Sequence, residues 1–221
     1  MHLTSDTSSD TRSRLLEAAG EVFADLGFRA ATIRDICQKA AANIAAVNYH
    51  FGDKEGLYKA VLDYSANCAL EKYPIGGGAD PTTPARERLA VFIRTYLSRL
   101  LDEGRPAWHG KLISREMMEP TQALAILAET FARPQYQRLR GIIGELLGAG
   151  ADPEDMRRCA ASIVGQCLFY KQCRPMIQVL MPEQKYDPAS LTDLARHINE
   201  FSLGAVEAIR SARASQKGSG Q

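Results

Sequence analysis

The sequence lacks several features, and each absence argues against a class of protein. No uninterrupted apolar run approaches the roughly 18 residues of a membrane-spanning helix. The first residues, MHLTSDTSSDTRS, have neither the basic nor the apolar segment of a signal peptide. The five cysteines are an odd number without a CxxC pair, which argues for reduced thiols and against a zinc site. We therefore expect a soluble, cytoplasmic protein with no membrane partner and no bound metal.

The sequence also lacks an excess of one charge and any recognisable catalytic arrangement. Its formal net charge is +1, so any positive charge that attracts a nucleic acid must be local. His109 and His197 are isolated, and no Ser/His/Asp or Cys/His arrangement is readable. The three glycines at 76–78 are flanked by prolines, as in a linker, rather than set in a phosphate-binding loop. We predict that the protein is not an enzyme and has no cofactor.

Helical periodicity, by contrast, runs along nearly the whole chain, and it predicts an all-α fold. Apolar residues recur at three- and four-residue spacing, and no segment alternates convincingly as a strand. A first helix from about Thr11 to Gly27 has the apolar stripe Leu15, Leu16, Ala19, Val22, Phe23 and Leu26. The clearest break lies at 74–83, where glycines and prolines exclude a helix. We predict polar, disordered tails at 1–10 and 212–221, an N-terminal helical domain at 11–73 whose fourth helix links onward, and a C-terminal helical domain at 84–211.

Residues 31–51, ATIRDICQKAAANIAAVNYHF, are the most informative stretch because they predict two short helices joined by a tight turn. Thr32 precedes Asp35 by three residues, as in a capping box, and so begins one helix. Asn43 is a good N-cap for the next, which continues to Phe51 and ends at Gly52. A connection of about three residues is typical of a helix-turn-helix, whose second helix enters a groove of DNA.

The residue types of this motif divide the expected DNA contacts between base edges and phosphates. Small side chains and one amide on the second helix suit base edges, and cations and helix N-termini suit phosphates. The residues predicted to contact bases are Ile44, Ala45, Ala46 and Asn48, which follow the N-cap Asn43. Those predicted to contact phosphates are Tyr49, His50, Thr32, Lys54, Arg29 and Arg34, and Lys39 is a further cation. The alternatives are ordinary solvated charge for Arg29, Arg34 and Lys39, and a packed aromatic for Tyr49. We predict that Val47 and Phe51 anchor the helix in the core.

Residues 11–62, from TRSRLLEAAGEVFADLGF through ATIRDICQKAAANIAAVNYHF to GDKEGLYKAVL, resemble the TetR family of bacterial transcriptional regulators. The variant NIAAVNYHF, and REMMEPT near residue 115, resemble the CecR-like subgroup. The resemblance implies a homodimer that binds a palindromic DNA operator and represses transcription. It also implies that a small molecule entering the C-terminal domain releases the DNA, so that domain is expected to be regulatory and dimerising.

One position departs from this family. Many relatives carry a glycine in the hinge between the second and third helices, where this chain has Ala41. A left-handed backbone costs a residue with a Cβ roughly 1 kcal/mol or more. We therefore expect a slightly different turn here.

The C-terminal helices are predicted to form the dimer and to hold the ligand. The helices that open at Pro153 and Pro188 are the last two of the prediction, and they carry small and aromatic residues that allow close packing: Cys159, Ser162, Gly165, Gln166, Phe169, His197, Phe201, Gly204 and Ala205. The candidate ligand-binding residues are Phe92, Tyr96, Trp108, Arg115, Met117, Met118 and Tyr170. Aromatic and methionine residues at helical spacing are more typical of a core than of a pocket. About half of the residues named for the dimer are, alternatively, intramolecular core. Arg115, next to Glu116, is either a charge in a helical core that favours an anionic ligand or half of a surface ion pair.

Two other functions are consistent with the sequence. One is a helical adaptor whose N-terminal unit binds another protein. The other is a redox-responsive regulator that uses Cys167 and Cys173, although cysteines six residues apart point to different faces of a helix.

Overall fold

The structure, a computed structural model, describes residues 4–101 and 106–218. These residues form eleven α-helices and no strand, which confirms the all-α prediction. The helices are α1 (Thr4–Ala30), α2 (Ile33–Ala40), α3 (Ile44–Phe51), α4 (Lys54–Lys72), α5 (Ala85–Leu101), α6 (Ala107–Met118), α7 (Ala123–Leu127), α8 (Arg133–Leu147), α9 (Pro153–Gln172), α10 (Arg174–Leu180) and α11 (Pro188–Gly218). Within the described part of the chain, no helix combines the length and the apolar character that crossing a bilayer requires.

The N-terminal end is more helical than its composition predicted. A disordered tail was expected over residues 1–10, but α1 already begins at Thr4. The Arg14 side chain pairs with Asp10 one turn earlier at 3.0 Å, the spacing at which ion pairs support a helix. Residues 1–3 lie outside the described residues.

The C-terminal end differs from its prediction in the same way. A disordered tail was expected over 212–221, yet α11 continues to Gly218. Arg213 donates a 2.8 Å hydrogen bond to the Asp155 carboxylate, so this part of the helix has a partner far away in the sequence. Residues 219–221 are not among those described.

The chain folds as two compact units, and they do not follow the domain boundaries expected from the sequence. The first unit joins residues 4–69 with 106–132, so α6 and α7 pack with the N-terminal helices. Its core contains Leu15, Phe23, Ile36, Val47, Leu57, Tyr58, Trp108 and Leu112. Trp108 lies in the first turn of α6. Gly20 makes room for it, because a Cβ there would come within 2.5 Å of the indole ring.

Gly27 breaks α1 as predicted, although one neighbouring prediction is wrong. Its φ of 81° is left-handed, a conformation that glycine adopts without steric cost. Leu26, assigned to the apolar stripe, is 48% exposed, because the stripe ends one turn earlier. The helix is kinked at this position, and a last short helical turn continues to Ala30.

The second unit comprises residues 70–101 and 133–218. Apolar side chains from α5, α8, α9 and α11 form its core, including Leu89, Ile93, Leu97, Leu139, Ile142, Ile143, Ile163, Cys167 and Ile198. The buried Arg99 guanidinium donates to the carbonyl oxygen of Tyr73 at 2.8 Å. This bond holds the turn at Ile75–Gly78, where the sequence predicted a break.

Candidate nucleic-acid interface

The caps of α2 and α3 form as the sequence predicts. The Thr32 hydroxyl oxygen accepts a 3.2 Å hydrogen bond from the Asp35 backbone N–H, and the Asp35 carboxylate accepts one of 3.2 Å from the Thr32 N–H. This is the predicted capping box. Asn43 Oδ1 accepts from the Ala46 N–H at 2.8 Å and begins α3, which Gly52 ends. The helix-turn-helix is thereby confirmed.

The hinge between these helices is left-handed at Ala41. Its φ of 48° and ψ of 46° are those that a glycine would adopt, so the expectation of a different turn is not met. Among the described residues it is the one non-glycine position with a positive φ. Arg14 of α1 donates a 3.2 Å hydrogen bond to the Ala40 carbonyl oxygen, beside the strained residue. The hinge therefore uses a left-handed backbone at a residue with a Cβ, and bears the steric strain that this causes.

One face of α3 is exposed and carries no charge. Ile44, Ala45, Asn48 and Tyr49 are spaced so that they share that face, and Ile44 is 53% exposed. Tyr49 is 81% exposed, so the alternative of a packed aromatic is wrong. Val47 on the opposite side is fully buried, as predicted.

The remaining candidates on this helix lie at the margin of the exposed face. Ala46, His50 and Phe51 are each partly buried. The Tyr49 and His50 rings meet edge-on with their centroids 4.9 Å apart. The prediction that Phe51 is a core residue is met only in part, since it packs against the core from its edge.

Cations are present on the neighbouring helices α1, α2 and α4. Arg29 and Arg34 are exposed, and among the described residues neither side chain has an ion-pair partner. Lys39 pairs with Glu21 of α1, and the hydrogen bond raises the pKa of Lys39. The Lys54 ammonium donates to the Arg29 carbonyl oxygen at 3.3 Å and lies 4.8 Å from the centroid of the Phe28 ring. Lys54 thus holds the start of α4 to the end of α1.

Two cations near the helix-turn-helix were not predicted from the sequence. The Arg12 guanidinium lies 5.5 Å from the centroid of the Phe51 ring, next to the C-terminal end of α3. Arg14 makes the hinge contact described above. Their positions early in α1 carry no local signal of this role, because more than 25 residues separate each from its partner.

The seven candidate ligand-binding residues belong to both compact units. Trp108, Arg115, Met117 and Met118 are in the first, and Phe92, Tyr96 and Tyr170 are in the second. Met118 is 83% exposed. The Phe92 and Tyr96 rings stack with centroids 5.9 Å apart, and burial raises the pKa of Tyr96 to about 12.

Arg115 is half-buried rather than in a helical core, and its ion-pair partner is Glu119 rather than the neighbouring Glu116. Its Nη1 donates to the carbonyl oxygens of Ala24 at 3.1 Å and Asp25 at 2.9 Å. Its Nε lies 3.7 Å from the Glu119 carboxylate, most of which is exposed. The guanidinium therefore holds the C-terminal end of the first part of α1.

The face predicted for dimerisation lies on α9 and α11, with the short α10 between them in the chain. Phe169 and Phe201 are 45% and 63% exposed, and a groove of about 170 Å³ runs between the two helices. Ser162, Gly165, His197, Gly204 and Ala205 are exposed, and Gln166 donates a 3.3 Å hydrogen bond to the Ser202 hydroxyl. Cys159 is only 7% exposed, so it belongs to the core and reaches this face only where it lines the groove.

Two family models match this chain. "Bacterial regulatory proteins, tetR family" matches residues 15–61, which contain the helix-turn-helix. "HTH-type transcriptional dual regulator CecR, C-terminal domain" matches residues 85–206.

Known proteins show the same similarity. The transcriptional dual regulator CecR of Shigella flexneri is 29% identical over 168 residues, which cover 72% of this chain and 75% of that protein. The transcriptional repressor NicS of Pseudomonas putida is 38% identical over 209 residues, 87% of this chain and 91% of NicS. A solved structure of a TetR-family regulatory protein from Rhodococcus RHA1 has a TM-score of 0.64 at 23% identity, covering 89% of this chain and 96% of that one, and so shares its fold.

The two matched ranges correspond to the helix-turn-helix and to most of the helices that follow it. The CecR model alone spans more than half of the chain, and the similarity to NicS extends over nearly all of NicS. The chain therefore belongs to the TetR family of bacterial transcriptional regulators and resembles CecR.

Proposed function

We propose that the protein is a transcriptional repressor that binds a palindromic operator as a homodimer and is released by a small-molecule ligand. The observation that supports this most is the exposed, uncharged face of α3, together with Arg29, Arg34 and Lys54 on the neighbouring helices α1, α2 and α4. Neutral small and amide side chains suit base edges, and flanking cations suit phosphates.

The proposed roles on DNA follow from this arrangement. Asn48 pairs with a base edge, and Ile44 and Ala45 make close apolar contacts in the major groove. Arg29 and Arg34 contact phosphates, together with the helix start at Thr32. Because α3 itself carries no lysine or arginine, attraction to DNA depends on its neighbours.

Homodimerisation increases the affinity for the operator. One copy makes few phosphate contacts, and a two-fold dimer doubles them across two half-sites of a palindrome. The exposed Phe169 and Phe201, beside Gly165, Gly204 and Ala205, form a surface that a second copy can cover. Burying one such aromatic side chain contributes about 1.5–3 kcal/mol.

A selection from random double-stranded DNA tests the operator, with purified full-length protein at two salt concentrations. We expect one enriched palindrome whose binding weakens steeply with salt. Failure to enrich any palindrome would overturn the proposal. The selected site then serves to measure how small molecules weaken binding.

Analytical ultracentrifugation tests the dimer with a matched pair of variants. Phe201→Glu places a charge on the proposed interface and should give a monomer with at least about tenfold weaker operator binding. Met118→Glu adds the same charge at a more exposed apolar residue of α6 and should remain dimeric. A dimeric Phe201→Glu protein would place the interface elsewhere.

The redox alternative has less support from the structure. Burial raises the pKa of the Cys167 thiol to about 12. Only about one thiol in 10,000 is then ionised at pH 8, and the thiolate is the reactive form. Cys167 is therefore a core residue rather than a sensor.

A further inference from the structure

A polar cavity lies within the first compact unit. Its volume is about 200 Å³, and its lining residues are Phe28, Arg29, Tyr58, Arg115, Glu119, Pro120 and Thr121. It is smaller than the 300–1,000 Å³ or so of a pocket for drug-sized ligands, so it suits one small molecule.

Arg115 presents a fixed positive charge to this cavity. Two hydrogen bonds from Nη1 to the carbonyls of Ala24 and Asp25 orient the guanidinium. Gly27 leaves room for it, since a Cβ there would lie 3.0 Å from Arg115 Nε. Among the described residues, Nη2 has no acceptor. An oriented guanidinium with unused donors is a site for a carboxylate or another oxyanion.

The other lining residues indicate which further chemical groups a ligand of this cavity would have. Arg29 adds a second cation, while Glu119 is the one carboxylate among the lining residues and is 67% exposed at its side chain. The rings of Phe28, Tyr58 and Pro120 add apolar surface. The Tyr58 hydroxyl is already engaged by Glu116, so Tyr58 offers its ring rather than a hydrogen bond.

We propose that this cavity binds a small organic carboxylate with an apolar body, and that its occupancy weakens binding to the operator. Arg29 lines the cavity and is also a proposed phosphate contact, so carboxylate and phosphate compete for one cation. The Arg29 carbonyl oxygen holds Lys54, a second cation of the DNA-binding surface. This consequence rests on the proposed function, whereas the binding site itself does not.

Calorimetric titration of the DNA-free, full-length protein tests the site with three probes of matched size: benzoate, benzamide and benzylamine. We expect binding of benzoate alone. Arg29→Gln and Arg115→Gln should each weaken benzoate binding at least about threefold, and Glu119→Gln should tighten it about twofold. Lys59→Gln removes a cation of the same unit that does not line the cavity, and it should change nothing.

The variants also distinguish the loss of a ligand contact from a general loss of stability. Arg115→Gln removes contacts to α1 and can lower stability, so its circular dichroism and thermal unfolding are recorded alongside. Arg29→Gln removes no such contact, because its side chain has no partner in the described chain. Equal binding of benzoate and benzamide, or benzoate binding unchanged in both arginine variants, would overturn the proposal.

Operator binding supplies the second measurement. Benzoate should weaken operator binding of the unmodified protein, and Glu119→Gln should respond at lower concentration. If a palindrome is selected but benzoate does not bind, the proposed carboxylate site is overturned, and the proposed function as a DNA-binding repressor is retained. If benzoate binds with the expected charge pattern but no palindrome is selected, the site stands and the proposed function fails. If benzoate binds and a selected operator is unaffected, the proposed coupling is overturned.

Discussion

The Tyr58 hydroxyl donates a 2.7 Å hydrogen bond to the carboxylate of Glu116, and both residues are buried. The other oxygen of this carboxylate accepts from the Thr121 N–H at 2.8 Å and from its hydroxyl at 2.9 Å. Tyr58 is in α4, in the range of the TetR-family model, and Glu116 is in α6, in the range of the CecR model. One buried network therefore joins the two matched segments within a single compact unit.

The Tyr58→Phe variant should lower the free energy of unfolding by about 1–3 kcal/mol, because a buried carboxylate loses one of its three donors. Urea denaturation measures the change. Tyr49→Phe removes a hydroxyl from a side chain that is 81% exposed and should stay within about 0.5 kcal/mol of the unmodified protein. Equal stability of both variants would show that the Tyr58 bond contributes nothing.

Ala41→Gly should stabilise the protein. The left-handed backbone at Ala41 costs a residue with a Cβ about 1–2 kcal/mol, whereas the added flexibility of glycine in the unfolded chain costs about 0.5–1 kcal/mol. A net gain of between about 0 and 1.5 kcal/mol in unfolding free energy follows. Ala42→Gly, at the next position and without a positive φ, should destabilise instead. The same sign for both variants would contradict the strain at Ala41.

Asn48→Ala and Arg34→Gln should weaken operator binding in different ways. Loss of a base contact at Asn48 costs about 1–3 kcal/mol and relaxes sequence preference at one position of each half-site. Loss of a phosphate contact at Arg34 weakens binding to all sequences and lowers the slope of log K against log salt by about two per dimer. Titrations of the selected operator and its single-base variants at several salt concentrations distinguish the two. Identical behaviour would mean that α3 does not read bases.

Arg213→Gln should reduce the loss of stability in acid. The hydrogen bond from Arg213 lowers the pKa of Asp155 below its ordinary 3.8, so the pair stabilises the fold above that pH. The contribution is lost as pH falls through the lower, folded-state pKa. Without Arg213, the difference between the urea midpoints at pH 7 and pH 3 should become smaller. Arg210→Gln removes a neighbouring arginine that pairs with the exposed Glu207, and it should leave this difference as it is.

Local sequence patterns were sufficient for the caps and breaks of the helix-turn-helix. Thr32 with Asp35 and Asn43 with Ala46 are each three residues apart, so their hydrogen bonds form within one turn of chain. The break at Gly27 depends on that residue's own backbone. Interactions of such short range can be predicted from the order of the residues. The burial of Val47 was likewise predicted from helical periodicity.

The tertiary structure decided what depends on residues far apart in the sequence. The bond between Tyr58 and Glu116 spans 58 positions, and that from Arg115 to the Asp25 carbonyl spans 90. Neither hydrophobic periodicity nor residue spacing predicts which helices pack together, because packing depends on the shape and charge of the helix surfaces in three dimensions. The sequence by itself therefore determined the class of fold and the DNA-reading motif. Only packing placed α6 in the same compact unit as that motif and formed the cavity beside Arg115.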